Sequence, residues 1–330
     1  MDWQILDEDR ELFERELATF VPLRLFDAHA HLYEKSQFQG EPPGLIATGP
    51  ESTGWETYQE RMAQFLPGRQ ISGFFFGFPS PGMDLAAGND FLIRQVRRDS
   101  NSRGSMLVEP GMDPEFIRET VRREGMVGLK CYHCYAPKQP TFEADIPSYL
   151  PEQQVKVAHE EGLTITLHLV RRQGIADPSN QEVIRAWAER YPKARFILAH
   201  AARGLNPHHV VQGIGALRGL RNVWCDTSAV TEAGACEAIA RTLGVDRLLY
   251  GSDFPVCHIR GRCVGIGDSF LWLSPENTDF HAAYGDVRPV LVGIESLRAL
   301  KLSCLNLGLS DSQVEAIFYG NAAELFDLKK

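Results

Sequence analysis

Leu23-Arg24-Leu25-Phe26-Asp27-Ala28-His29-Ala30-His31-Leu32 is an apolar, strand-like run that starts just after Pro22 and ends in histidines. His29 and His31 are separated by one residue, so on a strand both rings share a face and two imidazoles can meet one metal ion. Alone, such a pair is more often structural or incidental, and its surroundings decide. Downstream, Leu163-Thr164-Ile165-Thr166-Leu167-His168 alternates so that Thr164, Thr166 and His168 share one face and the aliphatic residues the other. The aliphatic face is expected to pack on helices, leaving His168 inside at the strand's C-terminal end. Phe196-Ile197-Leu198-Ala199-His200 ends in the same way, and Leu248-Leu249-Tyr250-Gly251-Ser252-Asp253 ends another strand in a carboxylate. Taken singly, each histidine reads more readily as a satisfied core residue, and an Asp after Gly-Ser as a turn or cap residue.

Working outward, strand-like runs at 23–32, 71–78, 105–109, 127–132, 163–170, 195–201, 222–227 and 247–253 alternate with amphipathic helical patterns at 89–98, 114–124, 151–161, 180–191, 207–217 and 231–243. Parallel strands joined by helical crossovers give this order. No Gly-rich nucleotide loop is visible, which favours a TIM-like (β/α)8 barrel over an open doubly wound sheet. In such a barrel the strand C-termini converge on one face, so His29, His31, His168, His200 and Asp253 can meet there. An amphipathic helix over 7–20, within an N-terminal extension 1–22, is expected to turn its charged face to water. The rhythm is interrupted at 34–70 and 257–285, long connections after the first and last strands that could shape a substrate pocket or merely decorate the surface. Helices are expected over 287–307 and 312–326. No linker divides the chain, so 1–330 reads as one domain.

The chain has 330 residues, 44% hydrophobic and 23% charged, enough to bury a substantial core. A net charge of -9 argues against general nucleic-acid binding, which needs a basic face. No apolar run reaches the roughly 18 residues of a membrane span, and the acidic start lacks signal-peptide zones, so the expectation is a cytoplasmic protein. Seven scattered cysteines read as reduced thiols. Cys131-Tyr132-His133-Cys134 together with Cys257, His258 and Cys263 is a weak pattern for structural zinc, and weaker still for a redox pair.

The ordered set FDAHAHL (26–32), TLHL around His168, ILAHAARG around His200, YGSDFP around Asp253 and YGNAAELF (319–326) resembles the amidohydrolase superfamily, in particular its amidohydrolase-related branch of hydrolases, decarboxylases and hydratases. The resemblance spans roughly 23–326. It implies that His29, His31 and His168 bind a divalent metal, with Asp253 as a ligand or proton-transfer group and His200 as a further ligand or a group polarising the substrate. Zinc suits imidazole and carboxylate ligands, and manganese or iron is compatible with the same donors. Lys130, ending the fourth strand, falls where some binuclear members carry a carboxylated lysine bridging two metals. Its alternatives are a pairing with a substrate carboxylate or an internal acid, and the site would hold one or two ions accordingly. Arg171, Arg172 and Arg203 follow ligand-bearing strands and could grip a substrate carboxylate, or make surface salt bridges. Tyr132 could hydrogen-bond substrate or simply pack.

The expected activity is a metal-dependent hydrolase in which an activated water attacks a small carbonyl substrate (amide, lactone or other ester), with Asp253 as proton shuttle. The alternative within the branch is a metal-dependent carboxy-lyase (decarboxylase) or hydratase. A catalytically silent binding barrel is the reading from another class, and the complete ligand set argues against it. The expected partner is a small molecule, a carboxylate-bearing one included, and a homo-oligomer fits the resemblance.

Overall fold

Hydrogen bonding between neighbouring runs turns eight of them into one parallel sheet: β1 (Arg24–His31), β2 (Gln70–Phe76), β3 (Arg103–Leu107), β4 (Gly128–Cys131), β5 (Thr164–Leu167), β6 (Arg195–Leu198), β7 (Val223–Asp226) and β8 (Leu248–Leu249). The computed structural model describes residues 3–281 and 287–328. Each strand pairs with the next in chain order. The ends meet where Ala28 N donates to Tyr250 O, Asp253 N to His29 O and His31 N to Phe254 O, each at 2.8 Å. Eight parallel strands closing in sequence with helices between them form a (β/α)8 barrel.

Strand alternation sorts the side chains into two cores. Leu129, Cys131, Ile165, Leu167, Phe196 and Leu198 point outward under the helices. Phe26, Ala28, Phe74, Phe76, Ile197 and Leu249 fill the barrel, and Leu325 and Phe326 of the C-terminal segment plug it, with the Phe326 ring 5.4 Å from Phe26 and 4.7 Å from Phe74. The interior is therefore packed at the end where the strands begin, and polar side chains gather at the other.

Helix Pro114–Glu124 falls where the pattern places it, capped by Asp113 and ended by Gly125 in a left-handed conformation. Helix Leu85–Val96 starts before the expected residue 89 because the Asp84 carboxylate accepts Ala87 N at 3.0 Å and caps an earlier turn. Helix Ala235–Thr242 starts after the expected residue 231, whose hydroxyl bonds the Cys263 carbonyl instead. The stretch 34–70 holds a helix, Trp55–Phe65, that its Gly- and Pro-rich beginning conceals; Tyr58, Met62 and Phe65 on it are buried at helical spacing. In 257–285 an antiparallel hairpin forms from β9 (Arg262–Ile266) and β10 (Ser269–Leu273); positions 282–285 lie outside the described residues. The N-terminal helix, Asp7–Leu12 continued by a wider turn Phe13–Leu17, buries Phe13 and Leu17 as expected. Its polar face does not all meet water: Asp9 is buried, accepting Arg260 Nη2 at 2.6 Å and Leu291 N at 3.0 Å. Among the described residues no helix is long and apolar enough to cross a membrane.

Candidate active site

The His-x-His pair reaches the barrel interior through an irregularity in β1. Asp27 pairs with Gly73 but Ala30 with Phe75, so β1 carries one more residue than β2 over that step. This bulge lets Phe26 and Ala28 face inward and then His29 and His31 as well, which strict alternation forbids. Two groups fix the two rings. His29 Nδ1 lies 2.9 Å from Asp226 Oδ2, and His31 Nδ1 lies 3.0 Å from Gly77 O. A carbonyl only accepts, so His31 carries its proton on Nδ1, and a carboxylate partner assigns His29 likewise. Both Nε2 lone pairs are left facing Asp253 Oδ1, each at 3.4 Å.

Asp226 ends β7, inward by the same alternation as His168, and the sequence reading passes over it. Besides His29 it accepts His200 N at 3.0 Å and Ser228 N at 3.1 Å, and the Ser228 hydroxyl as well. Burial opposes its charge, but His29 and Ser228 outweigh burial and hold its carboxyl below the usual range. Asp253 behaves alike: burial pushes it up, and His200, His31 and His29 hold it down. Burial, then the Lys130 ammonium, lowers His29 to about 4; burial also lowers His31, and burial with neighbouring His200 lowers His168. Neutral imidazoles beside a charged carboxylate are the protonation states that metal binding requires.

His200 breaks the strand pattern. Ile197 faces inward, so alternation would send His200 outward with Phe196 and Leu198. Instead His200, Ala201, Ala202 and Arg203 have φ of 56°, 50°, 59° and 62°, a left-handed turn that swings His200 inward. Such a conformation costs about 1–2 kcal/mol per non-glycine residue, the kind of strain that functional sites hold. His200 Nδ1 bonds Ser228 O at 3.0 Å, and its ring lies 4.9 Å from His29 and 5.0 Å from His168. Ligand atoms of His29, His200 and Asp253 lie within 4.8 Å of one another. His168 stands beside this group, and its Nδ1 is buried without a partner. Two oriented Nε2 atoms, a carboxylate and an unpartnered buried imidazole nitrogen form a donor set that fits a divalent cation.

Lys130 is fully buried, its Nζ 3.4 Å from His29 Nε2 and 4.3 Å from the centre of the Phe76 ring. Burial lowers it to about 8, although Asp226 and Asp253 pull it back up. Gly251, between Tyr250 and Ser252, faces the cluster so closely that a Cβ would lie 3.0 Å from His29 Cβ and 3.1 Å from Ser228 Cβ. Asp27, also passed over in the sequence, accepts Ser252 N at 2.8 Å and Tyr58 Oη at 2.9 Å and so braces the residue before Asp253.

Of the other expected residues, the Tyr132 ring lies 4.6 Å from His168, tilted at 54°, and Arg203 is buried nearby. Arg171 pairs with Asp145 and lies 3.7 Å from Asp177, and exposed Arg172 pairs with Asp268, so both act as rim salt bridges. The zinc pattern dissolves: Cys131 points out of the barrel toward Thr166 O at 3.8 Å, and among the described residues the possible metal group contains no cysteine. All seven cysteines are free thiols.

Comparison with known proteins gives a consistent result. The family model described as amidohydrolase matches residues 26–328. An L-fucono-1,5-lactonase of Burkholderia ambifaria is 30% identical over 117 residues, 30% of this chain and 39% of that protein, so the match spans about two fifths of its length. An amidohydrolase of Burkholderia multivorans with bound zinc superposes with TM-score 0.58 at 14% identity, covering 92% of this chain and 99% of that one. The 5-carboxyvanillate decarboxylase of Sphingomonas paucimobilis has TM-score 0.52 at 13% identity, covering 93% and 100%. At these identities the structural likenesses establish the barrel fold.

Proposed function

This chain belongs to the amidohydrolase family, and on that premise we propose that it is a metal-dependent hydrolase that adds water to a small carbonyl substrate, a lactone or other ester before an amide. The observation that carries the reading is the convergence of His29 Nε2 and His31 Nε2 on Asp253 Oδ1 at 3.4 Å each. His29, His31 and Asp253 would hold the metal, with His168 and His200 flanking it. A bound divalent cation would lower the pKa of water and polarise a carbonyl oxygen. Zinc suits these donors, and the zinc-bearing Burkholderia multivorans structure and the lactonase match support ion and substrate class.

The protein's own groups supply the rest. Asp253 Oδ1 faces the two histidines, and Oδ2, 3.9 Å from His200 Nδ1, takes the proton of the attacking water and returns it to the departing oxygen or nitrogen. His200, held through Nδ1 by the Ser228 carbonyl, keeps a lone pair on Nε2 and would serve as a further ligand to the cation beside His29 and Asp253. Asp226 keeps His29 in the tautomer that faces the metal. Lys130, as an ammonium, lends positive charge to the same wall; a second metal would require its carboxylation, which its lowered pKa favours.

The test is acid release from a panel of lactones, esters and amides by protein stripped with a chelator and then reloaded with zinc. Activity that vanishes and returns with the metal, and falls about 100-fold or more in Asp253→Asn, is the expected outcome. Carbon dioxide release from aromatic acids without ester or amide cleavage would replace hydrolysis with the carboxy-lyase reading.

A further inference from the structure

Asp253 sits in a conformation that its own backbone resists. Its φ is 58°, in the left-handed region, and a non-glycine residue keeps that shape only where neighbouring structure over-determines it. Part of the restraint is local: Asp253 N donates to His29 O at 2.8 Å, Val256 N to Asp253 O at 2.6 Å and Phe254 N to Ser252 Oγ at 3.0 Å. The rest is packing on the next residue. Phe254 is fully buried, and three rings stand nearly perpendicular to its own: Tyr58 at 5.3 Å, His258 at 5.3 Å and Trp3 at 5.6 Å. Trp3 is the outsider among them, because it lies ahead of residue 26, where the family match begins. Two features seat its indole, which is 3% exposed: Nε1 donates to Leu45 O at 3.3 Å in the loop after β1, and Gly49 leaves the space, since a Cβ there would clash with the indole ring. Six residues on, Asp9 grips the far end of the same stretch. Its carboxylate accepts Arg260 Nη1 at 3.1 Å as well as Nη2, and Arg260 Nη2 also reaches Gln4 O at 3.2 Å. Residues 253–260, which lead away from β8, are thus held at both ends by residues 3–9.

Resting on the reading of Asp253 as a metal ligand, we propose that residues 3–9 are a positioning clasp for the metal centre: Trp3, acting through Phe254, holds Asp253 in the orientation that meets the cation, and metal binding in turn tightens the clasp. Without the indole Phe254 loses one of its three walls, and Asp253 is free to relax out of the left-handed region, which turns its carboxylate away from His29 and His31. Coupling of this kind is reciprocal, so the factor that the clasp adds to metal affinity is the factor that the metal adds to docking of the clasp. A tryptophan that only fills the core would change stability and leave metal affinity alone.

The experiment measures zinc affinity by chelator competition, denaturant unfolding of the same samples, and hydrogen exchange of the Leu6 amide, which donates to Asp9 at 2.8 Å, with and without zinc. Trp3→Ala should weaken zinc binding about tenfold, the scale of a lost supporting contact, and Trp3→Phe, which keeps a ring against Phe254, should recover most of it. Phe13→Ala is the control. Phe13 is as deeply buried on the same segment but faces the Arg69 guanidinium at 5.0 Å, so its loss should lower the unfolding midpoint and leave zinc affinity unchanged. In the natural chain zinc should slow Leu6 exchange about tenfold, and that slowing should be lost in Trp3→Ala. Gly49→Ala, which crowds the indole out of its seat, takes the place of Trp3→Ala if the latter does not fold. Natural zinc affinity in Trp3→Ala, an equal loss in Phe13→Ala, or Leu6 exchange indifferent to zinc overturns the proposal. None of these readouts needs turnover, so a failed lactone panel removes the reaction and leaves the clasp; a natural chain that takes up no zinc removes the metal reading and the clasp together, whereas zinc bound equally with and without the indole removes the clasp alone.

Discussion

Asp226 fixes the site although it faces no substrate. It holds His29 Nδ1 at 2.9 Å and the His200 amide at 3.0 Å, so one carboxylate orients two of the site's imidazoles. Asp226→Asn should weaken metal binding about 10- to 100-fold, as loss of a carboxylate behind a ligating histidine does, in a competition titration against a chromogenic chelator. Unchanged affinity with native circular dichroism would remove Asp226 from this role. At this scale the sequence is legible wherever simple alternation holds: His168, Lys130 and Asp226 all face inward at strand ends, and Asp226 is missed only because its terminal position goes unweighed. His200 reaches the site by a left-handed turn of non-glycine residues, and the inward face of His29 and His31 depends on a bulge. Neither irregularity has a residue signature in AHAARG or FDAHAHL.

Among the elements, β8 is the least regular, and the site depends on it. The expected strand 247–253 shrinks to Leu248–Leu249 because Tyr250 to Phe254 leave the ladder with β7 and bond to β1. Gly251 permits that crossing, since any side chain there meets His29 and Ser228. Gly251→Ala should therefore cost about 1–3 kcal/mol of stability by overpacking, and more strongly reduce zinc retention, measured by denaturant unfolding and metal analysis of one preparation. Full zinc retention would show that β1 and the segment after β8 can separate without harm. The long connections illustrate what composition hides. Gly and Pro at the start of 34–70 read as loop, yet the helix Trp55–Phe65 follows them, and its Tyr58 reaches back to Asp27.

For the molecule as a whole, burial of neutral imidazoles ties stability to pH. Burial lowers His133 and His258 from 6.5 to about 4. Between those values the unfolded chain binds more protons than the folded one, so this stability is fully present above about 6.5 and is lost as pH falls toward 4. Asp27 opposes them: burial raises its carboxyl from 3.8 to about 6, a contribution present below the lower value and lost as pH rises through the upper. The melting temperature should decline from pH 7 to 4.5, and more shallowly in His258→Phe, which keeps the ring packing against Phe65 and Phe254 without a titrating group; an identical slope would exclude His258 as a source. The barrel itself was legible because eight strand-helix repeats carry it and no single weak strand decides the topology, whereas the route of each connection depends on tertiary contacts such as Thr231 to Cys263 and Asp9 to Arg260. The central claim is that His29, His31 and Asp253 hold a divalent cation. Metal analysis after zinc reconstitution and gel filtration, comparing the natural chain with the doubly substituted His29→Ala, His31→Ala protein, tests it most directly: stoichiometric zinc in the first and its loss in the second is the predicted result, and equal zinc in both, or none in either, would contradict it.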